Sequence, residues 1–348
     1  MNKLYKVLLF IIMLLTQNNM KAQQQESIFF EETTGRKDKL IYFKDDSPFN
    51  YLPLTIIKGK ESGPVFTIVS GIHGYEYPPI MAVQELIKEI NPDKLKGTLI
   101  IIPIANTASF YKRTPFINPV DGKNLNNAFP GSPSGTLTEQ IASWITKNVI
   151  SRSDVFLDIH GGDANEDLLP FVCYYNNKSN PGKTRAAIKL AEISGINHQV
   201  SYPYTLSNTE PAQYAFKQAV QDGKTALSIE AGKLGTSNPE SVKLIKNAVY
   251  NMLGQMKMYS LESEYAYAGT ILFFLNNQTY VKSDFKGLFY SKLKSGDEVK
   301  KGQEIGYITD EFGNEIQKIN STAEGIILYK TGTPPVNKGE TLFCIGSR

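Results

Sequence analysis

The chain has 348 residues, 41% hydrophobic and 20% charged, which suits a globular protein with one large domain and a small one. Its net charge of +3 comes from Lys3, Lys6 and Lys21, the only charged residues before Glu26; without them the 37 basic residues fall to 34, equal to the 34 acidic ones. A near-neutral body excludes a general nucleic-acid binder.

Residues 1–22 read as a secretory signal peptide. Lys3 and Lys6 precede the unbroken apolar run Val7 to Leu15, and Met20-Lys21-Ala22 ends on a small residue suited to cleavage. The run is short for a membrane span, although an uncleaved N-terminal anchor would carry the same signature. No cysteine follows it to take a lipid. The expectation is a periplasmic or secreted protein with no membrane span after signal removal. The two cysteines, Cys173 and Cys344, could pair in an oxidising compartment. They fall in different predicted domains, however, and the apolar run around Cys173 favours a buried free thiol.

From residue 51 onward, strands alternate with helices. Leu52 to Ile57 and Pro64 to Ser70 read as strands joined by the polar turn 58–63. Pro78 and Pro79 suit the first turn of a helix that reaches Glu89. Thr98 to Ile104 is a continuous apolar run, fit for a buried strand. Residues 105–136 are rich in Asn, Pro and Gly, and so long a loop in a compact domain is usually functional. Helices are expected at 137–150, 183–194, 211–221 and 239–258, with strands at 155–159, 169–175 and 225–230. The fold class is therefore α/β, a mixed, largely parallel sheet with helices on both faces, over about residues 27–260. From 262 to 348 the pattern changes to short β runs with frequent glycine. There, Lys301-Gly302-Gln303-Glu304-Ile305-Gly306-Tyr307-Ile308 is echoed by Lys338-Gly339-Glu340-Thr341-Leu342-Phe343-Cys344-Ile345, which predicts a small all-β domain of two related halves. Its hairpins resemble the lipoyl and biotin carrier fold. The segment Asn320 to Gly325 has no lysine to carry a group, so a structural or lid role is expected.

Histidine is scarce, with three in the chain. His73 follows the strand 64–70 and stands three residues before Glu76. His160 ends the strand 155–159. Two imidazoles and a carboxylate are the ligand set of a catalytic zinc site, with a fourth position left for water. Either histidine alone is more simply a hydrogen-bonded structural residue. What favours a metal is that His73, His160 and a further carboxylate, Glu230, all stand at strand ends, where an open α/β sheet gathers its ligands. The alternative for Glu230 is a helix-start or loop carboxylate in water. Asp158 precedes His160 by two, so both side chains leave the strand on one side and Asp158 could orient the ligand; a buried structural aspartate fits equally. His198, in Gly195-Ile196-Asn197-His198-Gln199, reads as a solvated loop histidine.

The motifs His73-Gly74-Tyr75-Glu76, Asn124-Leu125-Asn126-Asn127-Ala128-Phe129-Pro130-Gly131, Asp158-Ile159-His160-Gly161-Gly162 and Ile229-Glu230-Ala231-Gly232 occur in that order. Together they resemble the succinylglutamate desuccinylase/aspartoacylase family of the zinc carboxypeptidase-like group, over roughly residues 50 to 345. The resemblance implies a deacylase that cuts an N-acyl amide bond of a small-molecule substrate. It implies one zinc ion held by His73, Glu76 and His160, with Glu230 as general acid/base. It also implies Arg113 as the oxyanion or substrate arginine and Asn126 as a carboxylate-binding asparagine. The family usually continues with an arginine where this chain has Asn127, and an amide cannot supply a charged, bidentate fork. The amine-side product is therefore expected either to lack a free α-carboxylate or to be gripped by another basic residue. Two alternatives share the fold: a metallocarboxypeptidase acting on peptides or muropeptides, and a non-catalytic binding protein.

Overall fold

The computed structural model describes residues 29, 33–207, 209–259 and 271–348. The expected signal peptide and the 260–262 boundary lie outside these residues. Strands β1 (Gly35–Tyr42), β2 (Tyr51–Lys58), β3 (Glu61–Ser70), β4 (Lys96–Ile102), β5 (Val155–His160), β6 (Glu166–Leu168), β7 (Phe171–Asn176), β8 (His198–Pro203), β9 (Thr225–Glu230) and β10 (Phe273–Leu275) come first along the chain. Helices α1 (Tyr77–Glu89), α2 (Thr107–Lys112), α3 (Leu137–Trp144), α4 (Pro181–Ile193), α5 (Ala215–Gln221) and α6 (Pro239–Gln255) lie between them. Nine of the strands form one mixed sheet in the order β1-β2-β4-β3-β5-β9-β7-β8-β10. The central run β4-β3-β5-β9 is parallel, and β7 reverses direction against β9.

Both faces of this sheet are covered. On one, α1, α4 and α6 bury Val83, Leu86, Leu190 and Val249 against Phe66, Ile68, Leu157 and Ile229. On the other, α3 and α5 bury Ile141, Ala142, Phe216 and Ala219 against Val69, Phe156 and Ala226. Two-sided burial explains why β5, Val-Phe-Leu-Asp-Ile-His, is buried at all six positions. Local chemistry sets the helix starts. Pro78 and Pro79 open α1. The Asn238 side chain accepts from the Glu240 and Ser241 amides ahead of α6.

Several elements depart from the expected pattern. The 105–136 stretch contains α2, capped where the Ser109 amide donates to Asn106 Oδ1 at 3.2 Å and closed by Arg113 in a left-handed conformation. The helix from Leu137 widens into a π turn at Ile145–Val149 and ends in a 3-10 turn. The helix expected from 211 starts at Ala215, because Gln213 takes a φ of +72° and pairs its backbone with Phe129. His198 is corrected: it begins a strand, is half-buried, and stacks on Phe273 with ring centroids 5.3 Å apart. Burial lowers its pKa, as expected for an imidazole shielded from water. Cys173 and Cys344 are both buried free thiols. Among the described residues, no helix is long and apolar enough to cross a membrane.

The C-terminal strands β11 (Asn277–Lys282), β12 (Gly287–Tyr290), β13 (Glu298–Val299), β14 (Glu304–Thr309), β15 (Glu315–Asn320), β16 (Gly325–Thr331), β17 (Pro335–Val336) and β18 (Thr341–Ser347) form two antiparallel sheets around Val281, Phe289, Ile308, Ile327 and Phe343. The echoed Lys-Gly pairs precede β14 in one sheet and β18 in the other. Gly302 and Gly339 have matching φ values of +82° and +88°, so the repeat encodes the same left-handed turn twice.

The two parts are stitched together. β10 edges the large sheet, and β6 pairs antiparallel with β16, Leu168 opposite Tyr329. Asp167 fastens this seam: it accepts from the Ser295 amide at 3.1 Å and hydroxyl at 3.0 Å, and lies 3.1 Å from Lys233. Burial pushes its pKa up, but the Ser295 and Lys233 donors outweigh burial and hold it below the ordinary carboxylate value. A carboxyl depressed in the folded state contributes stability above its unfolded pKa, about 3.9, and loses it as pH falls through the lower folded value. Hydrogen-exchange protection factors at 166–168 and 295, corrected for the intrinsic pH dependence of exchange, are therefore expected to fall below about pH 4. Asp167→Asn should flatten that response; an unchanged acid profile in the variant would contradict the assignment.

Candidate active site

The central parallel strands deliver the site. β3 ends at Ser70, and the turn 71–76 carries His73 to the start of α1, where Glu76 is the N-cap residue. Neighbouring β5 ends on His160. In β9, Glu230 lies in register with His160. Close backbone approach makes this turn possible: a Cβ on Gly74 would lie 2.5 Å from the carbonyl oxygens of Ser109 and Thr114.

His73, Glu76 and His160 are 8%, 2% and 4% exposed. One ligand atom from each falls within 4.8 Å of the others. His73 Nδ1 is 2.7 Å from Glu76 Oε1, and His160 Nδ1 is 3.2 Å from Glu76 Oε2. Both imidazoles thus turn the same nitrogen, Nδ1, toward the carboxylate. The outward nitrogens face different groups: His73 Nε2 stands 3.2 Å from Asn124 Oδ1, a hydrogen-bond contact, while His160 Nε2 stands 3.2 Å from Asp158 Oδ1 as an ion pair in which neither Asp158 oxygen accepts a hydrogen bond. On His73, the Asn124 acceptor at Nε2–H favours the tautomer that leaves Nδ1 free to ligate; on His160, Asp158 acts through its charge. Glu76 Oε2 is buried without a hydrogen bond. Two converging imidazole nitrogens and an orphaned carboxylate oxygen are a donor set that fits a metal ion. Burial works against the charge on Glu76, yet His160 and His73 bring its pKa down to about 2.

Glu230 is placed differently. Burial pushes its carboxyl up to about 8, with the charges of Glu76, Glu166 and Asp158 adding to the rise and His160 opposing it. A carboxyl that holds its proton near neutral pH beside such a ligand set is suited to proton transfer.

Of the substrate residues expected from the sequence, Asn126 and Asn127 lie on the turn that follows Asn124, and Arg113 lies on a separate element. Asn124 opens a 3-10 turn over Leu125–Asn127, accepting from the Asn126 amide at 2.7 Å while it faces His73. Asn126 is half-buried with an unpaired Oδ1, and Asn127 is exposed. Arg113 is exposed at the end of α2, near enough to Tyr77 for its charge to act on that phenol. Three residues escaped the sequence reading. Asn124 was quoted only as part of a motif. Asp163 and Glu166 follow the Gly161-Gly162 pair and lie close enough to act electrostatically on the ligands. Burial raises both pKa values, that of Glu166 to about 7. The available signal was carboxylates spaced three and six residues after a ligand histidine.

An open α/β sheet that gathers two histidines and two glutamates beyond its central strands has the arrangement of a hydrolase site. The succinylglutamate desuccinylase/aspartoacylase catalytic domain matches residues 62–256. N-α-acetyl-L-2,4-diaminobutyric acid deacetylase of Halomonas elongata is 31% identical over 88% of this chain and 89% of its own length. Among solved structures, the product-bound ectoine utilization protein EutE (DoeB) of Ruegeria pomeroyi superposes with a TM-score of 0.80 at 24% identity, covering 91% of this chain and 97% of that one. A succinylglutamate desuccinylase/aspartoacylase of Rhodobacter sphaeroides gives 0.78 at 23% identity, covering 91% and 97%. The chain belongs to the succinylglutamate desuccinylase/aspartoacylase family, and with it to the hydrolases of carbon–nitrogen bonds other than peptide bonds.

Proposed function

We propose that this protein is a zinc-dependent deacylase that hydrolyses the amide bond of an N-acyl amino acid or a closely related amine, working outside the cytoplasm. The observation that carries the reading is the register of β5 and β9, which sets Glu230 beside His160 and its co-ligands. The deacetylase from Halomonas elongata, named for an N-acetylated diamino acid, supports the substrate class. Export rests on the basic, apolar and small-residue pattern of residues 1–22.

His73, Glu76 and His160 would hold one zinc ion. Bound there, zinc supplies Lewis acidity, making water a competent nucleophile at neutral pH and polarising the acyl carbonyl. Glu230 takes a proton from the attacking water and delivers it to the departing amine nitrogen. Arg113 offers positive charge to the carbonyl oxygen as it becomes an oxyanion. Asn126 and Asn127 offer amide hydrogen bonds to the amine-side portion. Asn124 and Asp158 hold the two imidazoles in the ligating orientation.

The test is metal analysis of purified protein, followed by a mass-spectrometric panel of N-acyl amino acids, uncharged N-acyl amides and muropeptides. One zinc per chain and release of a free carboxylic acid are expected; release of a C-terminal residue would overturn the reading. Asn127→Arg tests the missing fork. If the natural substrate lacks an α-carboxylate there, N127R should raise kcat/KM on simple N-acetyl amino acids by about tenfold. Efficient wild-type cleavage of those compounds with no gain in N127R would remove that explanation.

A further inference from the structure

We propose that Asp163 is a positioning residue that ties the 113–118 loop down against the metal ligands. The proposal rests on the deacylase reading, but its main readout does not require activity.

Asp163 lies three residues beyond His160 and is 0% exposed. Its carboxylate is used on both oxygens. Oδ2 accepts from the Phe116 amide at 2.8 Å, and Oδ1 accepts from the Ala164 amide at 2.7 Å. Its own amide donates to Glu166 Oε2 at 3.0 Å. Asp163 thus joins the loop after β5 to one 47 residues earlier.

The tied loop is strained. Arg113 and Phe116 have φ values of +53° and +59°, a conformation that bulky L residues seldom adopt. Such a backbone persists only where its surroundings over-determine it. The Phe116 ring meets the His73 ring edge-on, with centroids 5.8 Å apart. Beside it, the Thr114 amide donates to the Ser109 carbonyl at 3.0 Å, and the Thr114 carbonyl abuts Gly74. Relaxing Phe116 would therefore release both the ring against His73 and the backbone that aims Arg113. Asp163 is well placed to prevent this because its other end is rigid. Glu166 begins β6, which pairs with β16, and the Gly332 amide donates to the Asn165 carbonyl at 2.7 Å. The C-terminal domain in this way braces the loop whose Phe116 ring packs on His73.

The test compares Asp163→Ala and Asp163→Asn in the full, zinc-loaded chain. Asn keeps one oxygen, which can accept the Phe116 N–H while the Ala164 N–H loses its acceptor; Ala keeps neither. In D163A, hydrogen exchange across 113–118 should accelerate about tenfold or more, with zinc still at one per chain and kcat down by roughly 10- to 100-fold at a KM within about twofold. D163N should restore loop protection and stay within about threefold of wild type. The proposal is overturned if loop exchange is unchanged in D163A, if D163A keeps full kcat, or if D163N is as damaged as D163A. Should D163A fail to fold, an unprotected loop in D163N overturns it alone. A wild-type protein with no deacylase activity would instead remove the proposed function, leaving the exchange comparison intact.

Discussion

Glu230→Gln is expected to lower kcat by about 10²–10⁴-fold, the range that a positioned acid–base group contributes, while leaving metal content and fold unchanged. The side chain keeps its length and one carbonyl oxygen, but loses the capacity to take and return a proton. Its position argues that this is the whole effect. Glu230 is the last residue of β9, with Ile229 behind it in the core, and it is not one of the three clustered ligand residues. Burial and the neighbouring carboxylates hold its pKa at about 8 in the metal-free site, and positive charge at the ligands would draw that value toward neutrality. Removing a half-buried carboxyl that is costly to ionise should not destabilise the protein. Thermal stability of E230Q is thus expected to match or slightly exceed wild type. Turnover within about threefold of wild type, well outside the acid–base range, would dismiss Glu230 as the proton carrier.

How much of this was legible in the sequence depended on what fixes each residue's position. His73, Glu76, His160 and Glu230 could be read because strand ends are visible as apolar runs that stop, and the sheet then brings those ends together. The two-sided sheet was legible in Val155 to Ile159 for the same reason. Asp158 followed from strand alternation alone. Asn124 and Asp163 did not, because each acts through a loop contact 47 or more residues away that no local period encodes. The helix α2 was hidden because its start depends on the Asn106 side chain within a polar stretch that otherwise resembles loop. His198 misled for the opposite reason: a polar neighbourhood suggested solvent, while Phe273 of β10, 75 residues later in sequence, supplied the ring that covers it.

His160→Ala should abolish metal binding and activity together, and should also destabilise the metal-free protein. The first effect follows from the ligand count, since His73 and Glu76 alone cannot complete a catalytic zinc site. The second follows from charge. His160 stands between Glu76 and Asp158, which are 2% and 0% exposed, at 3.2 Å from each. Its ring is the cation that both carboxylates face, and their charges raise its pKa well above the ordinary imidazole value despite burial. Removing one member of a buried ionic group leaves the others uncompensated, at a cost of about 3–5 kcal/mol. Chelator-treated H160A should therefore melt well below chelator-treated wild type, a comparison that separates charge from metal. The double variant Asp158→Ala/His160→Ala provides the internal check. If stranded charge is the cause, deleting Asp158 as well should recover part of the lost stability, giving a coupling of roughly 1–3 kcal/mol in the cycle. Strictly additive losses would point to lost packing around the ring instead, and retained stoichiometric zinc in H160A would remove His160 from the ligand set.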